Sequence, residues 1–218
     1  MKKDTSRIHY EALDNQRTKL LDSLATLTKN FVLSGGTALA LQIGHRHSFD
    51  FDFFSQKEIS PNLLVKLKNL LKVSTVLVNT PEELSVMLPA EIKISFIYYP
   101  FFKNAGLIEL KNGIKMFPFP ILAAQKAYTI GRRGTYRDYF DIYVILKEGY
   151  LSLDHIIELA QKIYGEIFNP KLFLEQLIYF EDLTNFEIIP IDGKELIPNP
   201  KAVKTFLEDQ IKKVLLEI

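Results

Sequence analysis

The chain of 218 residues contains no cysteine, and its charges nearly cancel, with 27 lysines and arginines against 26 aspartates and glutamates. The absence of cysteine excludes disulfides, thiol catalysis and thiolate metal sites. Because the chain as a whole is no polyelectrolyte, any contact with nucleic acid must come from a local patch. No apolar run is long enough to span a bilayer, and the polar residues that follow Met1 predict no signal peptide. We therefore expect a cytoplasmic protein that does not act at a membrane.

Hydrophobic residues make up 47% of the chain and include 16 phenylalanines, enough for a substantial core. Strand-like and helical segments mix before Pro118, and only helical segments follow it, which predicts an α/β (α+β) fold with a mixed sheet and a helical C-terminal half. We assign domains to residues 1–118 and 119–218, packed against each other around a cleft. The predicted helices cover residues 6–29, 119–130, 136–147, 153–165, 170–179 and 200–217, with another that starts at Pro61. The predicted later strands cover residues 73–79, 84–88 and 91–99, with a hairpin through Asn112-Gly113.

The segment from Ser48 to Phe54 alternates polar and apolar residues and is rich in aromatics, which is typical of a half-buried β-strand. Side chains two apart share a face of a strand, so Asp50 and Asp52 point the same way and the phenylalanines between them face the core. Two adjacent carboxylates repel each other unless a cation lies between them, and carboxylates with substrate phosphates commonly hold Mg²⁺. The alternative is a strand with a solvated acidic face.

Two glycines, Gly35 and Gly36, separate a short apolar segment from a short helical one that Gly44 closes. A diglycine that enters a helix lets the backbone approach a ligand closely, and the free N–H groups there favour phosphate. We expect Thr37 to cap this helix. The chain then returns through a basic turn into the acidic strand, so the pattern predicts a phosphate site beside a metal site. The alternative is an ordinary strand–turn–helix in which the glycines serve packing.

A second group of candidate residues lies in the helical half. Lys126 stands mid-helix among alanines that leave room for a ligand, where a lysine binds triphosphate as a point charge; the alternative is a solvated helix face. Arg132, Arg133 and Arg137, with two nearby glycines, form a basic connector suited to phosphates, or a plain interhelix loop.

Asp138 and Asp141 are three residues apart on a predicted helix and so share a face. Either is placed to orient Lys126 or an arginine, and Asp138 is alternatively placed to reach an acceptor hydroxyl. For Asp141 we favour the role of a structural salt-bridge partner.

Two blocks of the chain resemble the AbiEii-type nucleotidyltransferases, the toxin halves of abortive-infection and related toxin–antitoxin pairs. The first block runs through Gly35-Gly36-Thr37, His45-Arg46-x-Ser48 and Asp50-x-Asp52-Phe53-Phe54. The second runs from Pro120 through Lys126 to Arg132-Arg133-Gly134 and Arg137-Asp138-Tyr139-x-Asp141. Both blocks stand in the family's order and at about its spacing, so together they are more specific than either alone.

The resemblance implies a nucleotidyltransferase-like fold and a metal-dependent enzyme. It implies that the enzyme binds a nucleoside triphosphate (NTP) with Mg²⁺ (or Mn²⁺), transfers a nucleotidyl group to a hydroxyl of tRNA or protein, and has a cognate antitoxin as partner. The catalytic residues implied are Asp50, Asp52, Lys126 and Asp138, of which Asp50 and Asp52 hold the metal. The residues implied in substrate binding are Gly35, Gly36, Thr37, Arg46, Ser48, Arg132 and Arg137.

One departure from the usual pattern lies at Ser95. Nucleotidyltransferase folds of this kind commonly take a third carboxylate from a later strand, and relatives often carry an acid where this chain has Ser95. Glu91 is predicted on the same face but lies about 13 Å away along the strand, too far to replace it. Since the usual base is missing, a degenerate, non-catalytic nucleotide- or partner-binding member is the alternative function. A structural protein with a coincidental motif is a further alternative, against which the two-block match counts.

Overall fold

The computed structural model describes residues 7–101, 106–133, 135–183, 185–192 and 197–216. Within these ranges the chain forms two compact units. The sheet unit is Ile8–Pro118, and the helical unit begins at Phe119 and includes Arg7. Every helix in the described ranges is too short or too polar to cross a membrane. Gly134, which belongs to the second motif block, lies outside the described residues.

One mixed sheet is formed by seven strands of the described residues, and it confirms the predicted mixed α/β class. The strands are β1 (Val32–Ser34), β2 (Phe51–Ser55), β3 (Thr75–Asn79), β4 (Glu83–Met87), β5 (Lys93–Tyr98), β6 (Ile108–Glu109) and β7 (Lys115–Met116). Their spatial order is β3-β4-β5-β2-β1-β7-β6. The pairs β2–β5 and β1–β7 are parallel, and the other pairs are antiparallel. The antiparallel β6–β7 pair is the hairpin predicted at Asn112-Gly113.

Eight α-helices lie in the described ranges. Those of the sheet unit are α1 (Asn15–Leu24), α2 (Gly35–Ile43) and α3 (Leu63–Leu70). Those of the helical unit are α4 (Phe119–Thr129), α5 (Tyr136–Lys147), α6 (Leu153–Tyr164), α7 (Pro170–Leu177) and α8 (Pro200–Leu216). All five helices predicted after residue 118 are thus present, and residue 217 of the last prediction lies outside the described residues.

The central strands pack large aromatic side chains into a core on one face of the sheet. Phe51 and Phe53 of β2 are fully buried, whereas Asp52 between them is half-buried, so the predicted alternation is confirmed within the strand. The ring of Phe53 stacks on that of Phe96 in the parallel neighbour β5, with ring centroids 5.5 Å apart. Burying a side chain of this size contributes about 1.5–3 kcal/mol, so these phenylalanines fix which face of β2 points away from the core.

The helical unit is organised around α4, which packs against α5 and α6. The rings of Tyr128 in α4 and Tyr164 in α6 stack with centroids 4.0 Å apart. Local signals define the helix starts: Ser152 caps α6 by accepting a hydrogen bond from the His155 N–H at 3.3 Å, and Asn169 caps α7 in the same way. With these caps, α6 begins at Leu153 and α7 at Pro170, as the sequence predicted.

The predicted opening helix over residues 6–29 is wrong. Its helical part, α1, begins only at Asn15 because the extended Asp14 caps it, its carboxylate accepting from the Arg17 N–H at 2.8 Å. A separate 3₁₀ turn covers Tyr10–Ala12, and residue 6 lies outside the described residues.

Four strand starts also differ from the prediction. β3 begins at Thr75 rather than residue 73 and β4 at Glu83 rather than residue 84, and the other two differences have a visible cause. The acidic strand β2 begins at Phe51 rather than Ser48, because the Ser48 N–H donates instead to the Ala12 carbonyl at 3.0 Å. Likewise β5 begins at Lys93, since a 3₁₀ turn at Pro89–Glu91 precedes it. Glu91 has a φ of 55° and is therefore not on the polar face of that strand.

Gly44 ends α2 in the left-handed region with a φ of 58°, as predicted for the residue that closes this helix. A Cβ at Gly44 would lie 2.7 Å from Cγ of His9, whereas a Cβ at Gly149, with a φ of 69°, would meet nothing within 4 Å. We expect Gly44→Ala to lower the free energy of unfolding by about 1–3 kcal/mol more than Gly149→Ala, because both add left-handed strain but only the first displaces a ring. Urea denaturation measures the difference, and equal losses would contradict the expectation.

Candidate active site

The junction of β1 and α2 places backbone directly against a carboxylate. The helix follows the strand without an intervening residue, and Gly35 has a φ of 66°. A Cβ at Gly35 would lie 2.3 Å from Oδ2 of Asp52, and a Cβ at Gly36 would lie 2.5 Å from Nη2 of Arg46. A Cβ at either glycine would thus meet the end of a side chain, acidic at Gly35 and basic at Gly36, which fits the alternative in which the glycines serve packing; the predicted approach of a ligand stays a prediction.

Asp50 and Asp52 flank the fully buried Phe51 and are both half-buried. Asp52 belongs to β2, and Asp50 directly precedes it. Oδ1 of Asp50 accepts a hydrogen bond from the Lys93 N–H at 3.3 Å, so the first strand residue of β5 orients this carboxylate. Each aspartate is therefore held by its place beside the sheet while remaining partly open to solvent.

Thr37 does not cap α2, and that prediction is wrong. Ser34 occupies the N-cap position, and the Thr37 hydroxyl lies inside the helix, where it donates to the Asp50 carbonyl. The Thr37 Oγ1 also lies 2.8 Å from the Ser48 Oγ. Since the single hydroxyl proton of Thr37 is used on Asp50, Ser48 is the donor in this second bond. The two bonds attach the segment before β2 to the first turn of α2.

Arg46 is buried, with 2% of its surface exposed. Its Nη1 donates to the His47 carbonyl at 2.9 Å. The guanidinium is thus buried against the glycine turn. There it adds positive charge beside the N-terminus of α2. Ser48, the other predicted substrate-binding residue of this turn, is 5% exposed.

A row of polar residues crosses four strands of the sheet at the level of Asp52. In the strand register, Ser34 of β1 lies opposite Asp52, Asp52 beside Ser95 of β5, and Ser95 opposite Ser85 of β4. We call these four residues the polar row. Neighbouring strands are about 4.8 Å apart, so Ser95 stands next to Asp52, where the fold's usual third carboxylate was expected. Among the described residues, no group of three or more acidic, histidine or cysteine side chains forms a candidate metal cluster.

In the helical unit, Lys126 is buried between two aspartates. Its Nζ lies 2.5 Å from Oδ1 of Asp138 and 2.7 Å from Oδ2 of Asp141, and it is 5% exposed. The alternative of a solvated helix face is therefore wrong, and the predicted orienting contact from these aspartates is present. Burial alone would raise the pKa of Asp138, but the charges of Lys126 and Arg133 outweigh it and hold the pKa of this carboxyl below its ordinary value. A carboxylate with a lowered pKa that already binds two cations is a weak proton acceptor.

The three arginines near this cluster have different surroundings. Arg133 makes a bidentate contact with Asp138, Nε to Oδ2 at 2.9 Å and Nη2 to Oδ1 at 3.2 Å. Arg132 donates to the carbonyls of Tyr128 and Ile167, and its Cζ lies 3.8 Å from the Tyr128 ring centroid. Arg137 is half-buried and makes no hydrogen bond or ion pair with any residue that the structure describes. Its guanidinium is thus the most available of the three for a phosphate.

Residues 19–209 match the family described as nucleotidyl transferase AbiEii toxin, type IV TA system. The chain belongs to this family. The resemblance that the two motif blocks carried is thereby confirmed, and it extends well beyond them. Membership in the AbiEii family supports transferase activity in this chain and makes it a nucleotidyltransferase-like toxin. Nucleotidyltransferases generally use a divalent metal, and a toxin family implies an antitoxin as a possible partner.

Two solved structures share the fold. JHP933 from Helicobacter pylori is 18% identical, with a TM-score of 0.53 and an alignment that covers 94% of this chain and 96% of that one. MenT4, a nucleotidyltransferase toxin from Mycobacterium tuberculosis H37Rv, is 16% identical, with a TM-score of 0.54 and coverage of 92% and 82%. A curated relative, the protein aq_aa25 of Aquifex aeolicus (strain VF5), is 28% identical over 211 residues, which are 93% of this chain and 98% of that protein.

Sequence reasoning missed three residues beside the AbiEii motifs. Arg17 is 9% exposed, and its Nε donates to the Phe49 carbonyl at 2.9 Å, which fixes the segment that leads to Asp50. Its spacing from the buried leucines of α1 places it on their face and could have revealed it. Glu83 and Ser85, which hydrogen-bond each other, share a face of β4, but nothing local shows that Ser95 lies opposite.

The buried ion cluster of the helical unit predicts a large stability effect at Lys126. Lys126→Met removes the cation and leaves two buried carboxylates facing each other, so we expect the free energy of unfolding to fall by about 3–5 kcal/mol. Lys162→Met makes the same change at an exposed position of α6 and should alter stability by no more than about 0.5 kcal/mol. Urea denaturation followed by circular dichroism measures both variants. If they lose the same small amount, the cluster does not stabilise the fold.

Proposed function

We propose that this AbiEii-family protein binds an NTP with Mg²⁺ or Mn²⁺ and transfers a nucleotidyl group to a hydroxyl of RNA or of a protein, releasing pyrophosphate. The observation that carries the proposal is the half-buried pair Asp50 and Asp52 beside the glycine-led N-terminus of α2. In the cell the protein acts in the cytoplasm as the toxin of a pair whose antitoxin restrains it.

The donor set of the acidic pair fits a hard divalent cation. Mg²⁺ takes oxygen ligands and is usually held by one or two carboxylates together with substrate phosphates, so Asp50 and Asp52 are enough to hold it when an NTP is present. Gly35 supports this assignment because a side chain there would fill the space beside the Asp52 carboxylate. When bound, the cation supplies positive charge that offsets the charge on the attacking and leaving oxygens.

The first turn of α2 is proposed to bind the β- and γ-phosphates. The N–H groups of Gly35, Gly36 and Thr37 belong to the first turn of the helix, where N–H groups have no intrahelical acceptor and the helix dipole favours negative charge. The buried guanidinium of Arg46 adds positive charge next to this helix N-terminus. Ser48 stabilises the turn through its hydrogen bond with Thr37.

In the helical unit, Arg137 is proposed to bind phosphate of the nucleotide or of RNA, because it has no partner among the described residues. Lys126, Asp138 and Arg132 were predicted to act on substrate and stay predictions. For Lys126 to bind a triphosphate, its contacts with Asp138 and Asp141 would have to open. The contacts of Asp138 favour its alternative predicted role, in which it positions Lys126 and Arg133, over direct action on substrate.

A second candidate function is favoured by Ser95 alone. In it the protein is a degenerate family member that binds a nucleotide or a partner without turnover, because the register neighbour of Asp52 on β5 is Ser95 rather than a carboxylate. Incubation with α-³²P-labelled NTPs, Mg²⁺ and either total tRNA or cell lysate separates the two functions. Label on a macromolecule supports the transferase and identifies the acceptor class; bound NTP without transfer supports the degenerate member.

The acidic pair should make stability depend on metal and nucleotide together. Ligand at about a hundred times its dissociation constant adds about 2.7 kcal/mol to the free energy of unfolding, which for a chain of this size raises the melting temperature by about 5–10 °C. We expect Asp50→Asn and Asp52→Asn each to abolish the rise, because an amide neither carries the charge nor binds Mg²⁺ as well. Thermal melts with and without Mg²⁺ and NTP measure it.

Without ligand, Asp50→Asn should melt no lower than the parent, because the repulsion between the carboxylates is gone. An asparagine at position 50 also keeps an oxygen that accepts from the Lys93 N–H. Asp209→Asn, on the exposed face of α8, is the control and should retain the full rise. If the parent shows no rise and the two variants are destabilised, the pair is structural and the proposed function fails.

Ser95 offers a gain-of-function test. We expect Ser95→Asp to raise label transfer, because it places a carboxylate next to Asp52 at the level of the fold's usual third acid. A bound cation offsets the added charge, so the variant should fold and bind Mg²⁺–NTP as the parent does. A folded, NTP-binding variant with no gain in transfer would show that the proton acceptor lies elsewhere.

A further inference from the structure

A chain of hydrogen bonds leads from Ser95 to a carboxylate two strands away from Asp52. Oγ of Ser85 lies 2.9 Å from Oγ of Ser95 and 2.5 Å from Oε1 of Glu83. Ser85 and Ser95 are 0% and 1% exposed, whereas Glu83 is half-buried. The chain therefore joins a buried position beside Asp52 to a carboxylate that solvent reaches.

The donors in this chain follow from its chemistry. An ionised carboxylate only accepts hydrogen bonds, and a serine hydroxyl has one proton to give. Ser85 therefore donates to Glu83, and Ser95 donates to Ser85. With its proton committed to Ser85, Ser95 is left with lone pairs that accept a proton from a further hydroxyl.

On the basis of the proposed function, we propose that Ser95, Ser85 and Glu83 form a proton relay that replaces the missing third carboxylate. The acceptor hydroxyl gives its proton to Ser95 while Ser95 passes its own to Ser85 and Ser85 passes its own to Glu83. The deprotonated acceptor oxygen forms the new bond to the α-phosphorus, and the bond to pyrophosphate breaks. The net change is one proton on Glu83, which the half-exposed carboxylate returns to water.

Burial argues for the relay over a merely structural pair of serines. The opposite faces of the same strands carry fully buried apolar residues such as Val86 and Phe96, which need no hydrogen-bond partner. Two adjacent buried hydroxyls instead require hydrogen-bond partners, and among the described residues the Glu83 carboxylate completes this chain. Asp52, the register neighbour of Ser95, places the start of the chain beside the proposed nucleotide site.

Glu83→Gln tests the relay, because glutamine still accepts from Ser85 and cannot take up the proton. With α-³²P-NTP, Mg²⁺ and the total tRNA or lysate that the parent labels, we expect kcat for transfer to fall about 100-fold while KM for NTP changes little. Ser85→Ala, which breaks the chain, should show the same loss, and Ser85→Thr, which keeps the hydroxyl, should restore most of the rate. The Mg²⁺–NTP rise in melting temperature should be the same in all of them as in the parent.

Glu82→Gln is the matched control, the same change at the exposed neighbouring position, and it should transfer at the parent rate. A Ser95→Asp background gives a sharper test: the new carboxylate takes the proton directly, so Glu83→Gln should there have almost no effect.

Parent-like transfer by Glu83→Gln would overturn the relay and leave the transferase standing. An equal loss from Glu83→Gln in both backgrounds would assign Glu83 a structural role and also overturn the relay. A parent that binds Mg²⁺–NTP and labels nothing would overturn the transferase, and the relay with it.

Discussion

The antiparallel pairing of β1 with β2 determines where the chemistry of the sheet unit lies. It sets Ser34 opposite Asp52, and because α2 follows β1 without a linker, the next residue along the chain has to pass the Asp52 carboxylate. Only a glycine fits at that point, with its positive φ and no side chain. The diglycine and the acidic strand are thus two parts of one packing constraint. The helix N-terminus, the buried arginine and the two aspartates take their positions from it.

Much of the fold was predictable from the sequence because its elements carry local signals. α5 was predicted with its observed bounds, and Gly44 marked the end of α2. The opening helix failed for a local reason too, because Asp14 caps α1 and interrupts an otherwise periodic run of leucines. The acidic strand was recognised, but its start was predicted too early. The Ser48 N–H bonds to the carbonyl of Ala12, which is distant in sequence, and so does not join the sheet.

The candidate site was predictable only where its residues are close in sequence. Gly35, Gly36, Asp50 and Asp52 formed a pattern that pointed to phosphate and metal. Their neighbours across the sheet formed no such pattern in the sequence, because strand pairing is a property of the whole chain and not of any one segment. That Ser95 stands beside Asp52, and that Ser85 joins it to Glu83, follows only from the order of the strands. Thr37 illustrates the same limit: its hydroxyl had a plausible local role, and tertiary contacts gave it another.

The helical unit shows that the charged residues of a motif can have a role in stability as well as in catalysis. Lys126 and Arg133 balance Asp138 and Asp141, so the cluster carries no net charge although three of its four side chains are buried. Buried ions are costly unless each has a partner, so none of the three can change alone. The presence of these residues in a sequence therefore does not by itself assign them roles in the reaction.

The parallel pairs of the sheet have a consequence for synthesis. β2 needs β5, and β1 needs β7, and parallel strands pair only after a long connection has been made. As the chain leaves the ribosome, Asp50 and Asp52 emerge early, yet β5, the strand that orients Asp50, emerges much later. The edge of β1 that pairs with β7 has no partner strand until Met116 has been made. Contacts so distant in sequence form slowly. A nascent chain thus carries the acidic residues long before it carries an assembled site.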